Sequence, residues 1–274
     1  MTLPFSRILL ATEHTEFDVG AEAAAFALAA QPGVTASAVV PLVSNVEYET
    51  VAPELAAKAE AEAFARSLAV HEAAAAAGVT IEARVRRADE GWRAIVGEAS
   101  DVAADFLVVR RRGRRGFLAN FMVGEMVDRV AISAPCHVLI VPRKATLPRT
   151  HVLAGIDLSR AGPAVARLAA RVAHVAALPL TLVGVAAQAG ERDAVVRALD
   201  SAAEAARDAG AAPTIEVHEG RAAETVAARA TALGADLVVA GRGGFETHGL
   251  RLKLGSNAYR IVGLLPCAVL VVRP

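Results

Sequence analysis

The sequence predicts an α/β protein of two tandem doubly wound domains, each with a five-stranded parallel sheet of strand order 3-2-1-4-5. Three observations lead there: the length, an internal repeat, and an alternation of β-branched runs with alanine-rich segments. At 274 residues the chain exceeds one average domain and suits two of the usual ~100–150 residues. The repeat is gap-free through its second half. Ala104-Asp105-Phe106-Leu107-Val108-Val109 matches Ala235-Asp236-Leu237-Val238-Val239-Ala240, and Pro135-Cys136-His137-Val138-Leu139-Ile140-Val141 matches Pro266-Cys267-Ala268-Val269-Leu270-Val271-Val272, both at a shift of 131. Near the start, Ile8-Leu9-Leu10-Ala11-Thr12-Glu13 matches Val152-Leu153-Ala154-Gly155-Ile156-Asp157 at a shift of 144, so the first repeat carries about 13 extra residues in its middle. Self-similarity of this kind fixes the architecture before any single element is placed.

Short β-branched runs alternate with alanine-rich stretches of helical length, the pattern of a parallel sheet covered by helices. In the first repeat the expected strands lie near Ser6 to Ala11, Thr35 to Val43, Thr80 to Arg86, Phe106 to Arg110 and Val138 to Pro142. In the second they lie near His151 to Ile156, Leu180 to Ala186, Thr214 to His218, Leu237 to Ala240 and Val269 to Arg273. The extra residues fall between Ser44 and Ala77, where Pro53 suits the first position of a helix. Arg143 to Thr150 is polar and contains Pro148, as a linker should, which gives domains of residues 1–145 and 150–274. Right-handed crossovers between parallel strands favour the order 3-2-1-4-5 and place the ligand crevice between strands one and four. The loops after Ile156 and Ala240 are therefore where chemistry is expected.

Composition excludes several classes. Lysine plus arginine and aspartate plus glutamate are both 29, so no global field draws the chain to nucleic acid or to an anionic membrane. The opening MTLPFSRILLATEH has no charged leader with an apolar run, and no uncharged apolar stretch of ~18 residues occurs; a soluble, cytoplasmic protein is expected. Cys136 and Cys267 each follow a proline in an apolar segment and read as small buried hydrophobes. The seven histidines lack metal-ligand spacing. Trp92, at a helix start, reads as a core or subunit contact. No serine, histidine and acid trio and no paired carboxylates converge on one crevice, so catalysis is not expected.

The informative stretch is Gly241-Arg242-Gly243-Gly244-Phe245-Glu246-Thr247-His248-Gly249-Leu250-Arg251-Leu252-Lys253-Leu254-Gly255-Ser256-Asn257, after the fourth strand of the second repeat. Glycines let backbone amides approach a ligand, and a helix opening at Gly255, Ser256 and Asn257 offers free amides and a positive dipole end to a phosphate. The bland alternative is a turn with Ser256 as a helix cap. A Walker-type loop is excluded because no lysine stands before the hydroxyl residue, and a dinucleotide fingerprint because the loop follows strand four. His248 is a loop histidine within phosphate reach or in solvent.

With an acid ending strand one, the glycine loop, the Gly-Ser helix start and the final Pro-Cys-Ala-Val-Leu-Val-Val strand, the chain resembles the universal stress protein family over nearly its whole length. Nucleotide-binding members of that family carry glycine, two residues, glycine, nine residues, glycine and serine or threonine. Gly241, Gly244, Gly255 and Ser256 match, with ten residues between Gly244 and Gly255. The resemblance implies that Asp157 contacts the nucleoside end of the ligand and that Val185 lines an adenine pocket. It implies ATP as ligand, with Mg²⁺ as companion and AMP or ADP as alternatives. It also implies pairing of the two repeats through their last strands, with homodimerisation as a further step. The rival readings are an interaction scaffold that binds no nucleotide, and an adenylyl-transferring enzyme.

The first repeat departs at these positions. Arg110 stands at Gly241's place, Gly113 at Gly244's, Gly124 at Gly255's, Glu125 at Ser256's and Glu13 at Asp157's. A carboxylate at Glu125 repels a phosphate, since like unit charges ~4 Å apart interact by about 4 kcal/mol at an effective dielectric near 20. The expectation is that an arginine of the run Arg110 to Arg115 pairs with Glu125 and fills the phosphate space. The rivals are capture of an external anion by those arginines, or a solvated basic loop.

Overall fold

The protein was analysed as a computed structural model, which describes residues 4–111, 125–243 and 255–274. The chain divides into two compact units, one of Phe5–Arg112 with Glu125–Lys144, the other of Ala145–Pro274.

In the first unit the strands are β1 (Arg7–Ala11), β2 (Thr35–Val43), β3 (Glu82–Ala88), β4 (Phe106–Arg110) and β5 (His137–Val141). The helices are α1 (Val19–Ala29), α2 (Val46–Val51), α3 (Pro53–Ala76), α4 (Gly91–Asp101) and α5 (Glu125–Ser133). All pairings are parallel and the order is β3-β2-β1-β4-β5. The second unit repeats this with β6 (Val152–Ile156), α6 (Gly162–Ala176), β7 (Leu180–Ala186), α7 (Arg192–Asp208), β8 (Thr214–Glu219), α8 (Ala222–Ala232), β9 (Leu237–Gly241), α9 (Ser256–Leu264) and β10 (Ala268–Val272). Its order is β8-β7-β6-β9-β10. The doubly wound topology expected from the repeat is borne out in each unit.

Helices on both faces bury the central strands completely, which is why these strands are unbroken apolar runs rather than alternating ones. Leu9, Leu10, Leu107, Val108, Leu153 and Val238 are fully buried. The covering helices approach through alanine: Ala21 and Ala25 of α1, Ala169 and Ala170 of α6, Ala202 and Ala203 of α7 are fully buried too. Small side chains on both sides of the contact let helix and sheet pack closely with few voids.

An aspartate before the fourth strand fixes the start of the first strand in both repeats. Asp105 accepts hydrogen bonds from the backbone N–H groups of Ser6 (2.8 Å) and Arg7 (2.9 Å). Asp236 accepts from Arg149 (2.6 Å), Thr150 (3.1 Å) and His151 (3.2 Å). Burial alone would raise the Asp236 carboxyl, but these amide donors outweigh it and hold the group below its ordinary range.

The register locates the length difference between the repeats. Val39 and Val183 occupy the same place beside β1 and β6, an offset of 144, whereas their other partners Arg84 and Glu216 are offset by 132. Twelve of the extra residues therefore lie between β2 and β3, and the thirteenth lies in the turn into α4. Between the second and third strands they supply α2 and the start of α3 as far as Ala59, since α3 from Glu60 onward matches α7 at the offset of 132, with Pro53 as the first residue of α3. One strand starts later than the sequence suggests: β3 begins at Glu82 because its pairing with β2 begins at Ser37. No helix among the described residues is long and apolar enough to cross a membrane.

On the outer strand β8, Glu216 accepts two bonds of 2.7 Å from the Arg229 guanidinium and lies 2.8 Å from His218 Nε2. The Arg229 bonds, with a smaller contribution from His218, outweigh burial and lower the Glu216 carboxyl to about 2. A depressed carboxyl contributes stability that is present above its ordinary value and lost as pH falls toward 2. Glu216→Gln is accordingly expected to lower the melting temperature at neutral pH and to flatten its decline between pH 4.5 and about 2, read by thermal unfolding across that range.

Candidate functional site

In each sheet the strand order reverses beside the first strand, so the loops leaving the carboxyl ends of strands one and four diverge and open a crevice. In the second unit this crevice is a cavity of about 290 Å³. That is the lower edge of the ~300–1,000 Å³ usual for small-molecule sites. Gly155, Ile156, Asp157 and Leu158 bound it where β6 ends; Val183, Val185 and Ala187 bound it along β7; Gly241 and Gly243 bound it after β9. Gly255, Asn257 and Ala258 close it at the start of α9, and Val226 of α8 and Ile261 of α9 give it an apolar floor.

Of the residues singled out from the sequence, Asp157, Val185, Gly241, Gly255 and Asn257 thus line one cavity. Ser256 is the first residue of α9. Gly244 and His248 lie outside the described residues. Asp157 Oδ1 accepts from the Ser159 backbone N–H (3.0 Å) and from Ser159 Oγ–H (2.5 Å). These bonds turn the chain toward α6 and fix the carboxylate at the rim, while no bond to Oδ2 is made by the described residues. The anchoring role and a ligand role are therefore compatible.

The glycines act through the space they leave. A Cβ on Gly241 would meet Val165 at 3.6 Å and Ala161 at 3.8 Å, ordinary contact distances. Backbone room does not demand glycine there; a longer side chain would enter the cavity. Gly255 N–H donates to Arg242 O (3.1 Å), tying the start of α9 to the end of β9. The first-turn amides of α9, those of Asn257 and Ala258 among them, have no helical carbonyl to bond and form the positive end of the helix dipole.

The equivalent space in the first unit measures about 20 Å³, room for about one water. Its lining corresponds residue for residue: Glu13 for Asp157, Pro41 for Val185, Ile95 for Val226, Arg110 for Gly241, Met126 for Asn257 and Val130 for Ile261. Arg110 accounts for the loss. Its side chain is buried, with Nη2 donating to Glu13 Oε2 (2.5 Å) and Nη1 to Asp18 Oδ2 (2.6 Å) and Thr15 Oγ1 (2.9 Å). Asp18 is itself fully buried. Around this pair Glu22 Oε1 accepts from Thr12 Oγ1–H (2.6 Å) and lies 3.1 Å from His14 Nδ1.

Of the arginines expected to include a partner for Glu125, Arg110 is engaged elsewhere, with Glu13, Asp18 and Thr15. Glu125 is exposed at the start of α5, and its partner among the described residues is Arg129, one turn on, at 3.2 Å. The crevice is sealed instead at the strand-one end, because the residue ending β4 directs its side chain toward Glu13 and Asp18. Arg112 to Arg115 lie outside the described residues. Sequence reading flagged Arg110 and Glu13 as departures but missed Asp18, whose counterpart in the second repeat is Gly162 (offset 144). It also missed Glu191, which borders the larger cavity and accepts from Ala187 N–H at 2.9 Å. Neither lies in the glycine motif. The Trp92 ring is approached by the guanidinium groups of Arg93 (5.1 Å) and Arg129 (5.7 Å), contacts within the first unit. No cluster of metal-ligating side chains occurs among the described residues.

A fold of this topology, repeated with one open and one sealed crevice, defines a tandem doubly wound α/β class. The chain belongs to the universal stress protein family, whose model matches residues 4–142 and again 148–273. Among solved structures, a universal stress protein from Archaeoglobus fulgidus superposes with a TM-score of 0.75 at 17% identity, covering 99% of both chains. A functionally unknown protein from Pseudomonas aeruginosa PAO1 superposes with a TM-score of 0.69 at 15% identity, covering 99% of this chain and 93% of the other. At these identities the likeness is one of fold. No curated protein matches the chain.

The seal makes a quantitative demand. Arg110→Gly strands the Glu13 and Asp18 carboxylates without their cation, and removal of one partner of a buried pair costs about 3–5 kcal/mol. Arg110→Gly with Asp18→Gly removes the fully buried carboxylate too and should recover much of that loss. Denaturant unfolding of the two variants checks this, and equal destabilisation of both would contradict the assignment.

Proposed function

We propose that the second repeat binds an adenine nucleotide, ATP foremost, and that the protein acts in the cytoplasm as a stress-response sensor or regulator through that binding. The observation that carries this reading is the contrast between the two crevices, about 290 Å³ beside Gly241 and about 20 Å³ beside Arg110. The phosphates would lie against Gly241, Gly244, Gly255 and the first turn of α9 with Ser256 and Asn257, where backbone amides and the helix dipole suit negative charge. The nucleoside would extend toward Asp157, whose carboxylate accepts from a ribose hydroxyl, and Val185, whose branched side chain offers an apolar face to the base.

Charge adds a condition. The titratable residues among the described lining of the cavity are Asp157 and Glu191, so a triphosphate brings like charge into the site. Mg²⁺ bound to the phosphates would offset that repulsion, which makes affinity for ATP more dependent on Mg²⁺ than affinity for AMP. Among the described lining residues Asp157 Oδ1 is held by Ser159 rather than directed at the phosphate end, and turnover is expected to be slow at most. The same acidic lining favours, as a second reading, a scaffold of this fold that takes up no nucleotide.

Calorimetric titration of the whole chain with ATP, ADP and AMP, with and without Mg²⁺, separates the two readings. Binding at one site per chain supports the first, and no heat at millimolar nucleotide supports the second. Gly241→Arg, which copies the first repeat, is expected to abolish binding while preserving the fold. Asp157→Ala is expected to weaken it about tenfold, the loss of a hydrogen bond to a charged group.

A further inference from the structure

The cavity of the second unit holds an acid that the glycine motif does not account for. Across the sheet the order β7-β6-β9 sets Gly241 and Gly243 at one end of the cavity, Asp157 in the middle, and Val185, Ala187 and Glu191 at the other. Glu191 stands just before α7. Its Oε2 accepts from the backbone N–H groups of Ala187 (2.9 Å) and Gln188 (3.3 Å), and its own N–H donates to Gln188 O (3.0 Å). The side chain is thereby clamped to the loop that leaves β7. Among the described residues no donor bonds Oε1 and no cation pairs with the carboxylate. In the first crevice the lining passes from Pro41 of β2 to Ile95 of α4 with no residue of the intervening segment. The acid therefore belongs to the open site alone.

We propose that Glu191 selects the base: its free oxygen accepts a hydrogen bond from the 6-amino group of adenine and disfavours purines that carry a 6-oxo group. This assignment rests on the nucleotide reading above and gives its base specificity to a side chain outside the motif. The argument is one of donors and acceptors. A carboxylate only accepts, while adenine presents an amino donor at position 6, where guanine and hypoxanthine present a carbonyl oxygen. Facing Glu191, the amino group makes a charge-assisted bond, whereas the carbonyl sets acceptor against acceptor. Guanine can turn its N1–H and 2-amino group toward a carboxylate instead, but that edge takes both oxygens, and Oε2 is already used by two amides. One free oxygen fits one donor group. Val183, Val185 and Val195 beside it offer an apolar surface to the ring, where an unmatched polar contact is costly.

Calorimetric titration of the full chain with ATP and with ITP, whose base is hypoxanthine, isolates the 6-position. ATP is expected to bind at least about tenfold more tightly, the scale of one hydrogen bond to a charged group. Glu191→Gln makes the sharper test. Its amide oxygen can keep the bonds from Ala187 and Gln188, which leaves its NH₂ group to face the cavity as a donor. The preference should then invert, with ITP binding more tightly than ATP. A merely structural role would lower both affinities together and leave their ratio unchanged. Glu191→Ala, which offers neither donor nor acceptor, should bring the ratio toward one. Equal binding of ATP and ITP by the unaltered chain, or an unchanged ratio in Glu191→Gln, overturns this assignment and leaves nucleotide binding standing. No heat with either nucleotide overturns the nucleotide reading itself, and the assignment with it.

Discussion

Arg110 carries a full charge to the end of a buried strand, and the surrounding residues are arranged to make that tolerable. Asp18 and Glu13 supply the counter-charge, Thr15 a neutral acceptor, and Glu22 with Thr12 and His14 a second polar layer around the first. In the second repeat the same strand ends in Gly241, and Gly162 stands at the position of Asp18. The arginine and its buried acid are thus absent together. A buried ion pair is often no more stabilising than well-packed apolar residues, yet losing half of it is costly. The two crevices are therefore not points on a gradual scale: each is internally consistent, and removing Arg110 alone leaves the first with unpaired buried carboxylates.

The backbone beneath this difference is shared. Asp105 and Asp236 fasten the first strand of each sheet by the same amide bonds, and alanine-faced helices cover both sheets. Because β1 and β6 are flanked on both sides in the same order, the crevice must open at the same place in each repeat. What fills it is left to the side chains at the strand ends, Arg110 in one repeat and Gly241 in the other. This separation allows one scaffold to keep a ligand cavity in one half and close it in the other. The length difference between the repeats is confined to the crossover between the second and third strands. An outer helix there can lengthen without disturbing the central strands, and it does so with apolar residues left facing outward.

Much of this was legible in the sequence, and for identifiable reasons. Runs such as Leu107-Val108-Val109 and Val238-Val239-Ala240 are apolar throughout because both faces of the strand are covered, so the central strands announce themselves. β3, Glu82-Ala83-Arg84-Val85-Arg86-Arg87-Ala88, carries charge along an outer position, and its start was misplaced by two residues because only its pairing with β2 defines it. Gly241 and Arg110 were recognised as alternatives at one position by the constant shift between the repeats. The partners of Arg110 were not foreseen, because the sequence directed attention to Glu125, which is near it in the chain. The actual partners lie 97 and 92 residues away.

The sequence by itself determined the duplication, the topology of each domain and the place of the crevice. These follow from periodicity and chain order, which are local or repeated and so survive in one dimension. Only the tertiary structure decided which crevice is open, that Asp18 completes the seal and that Glu191 borders the cavity. Each of these depends on side chains meeting across elements distant in sequence. Burial and direction in space set such meetings, and neither is written in the order of residues.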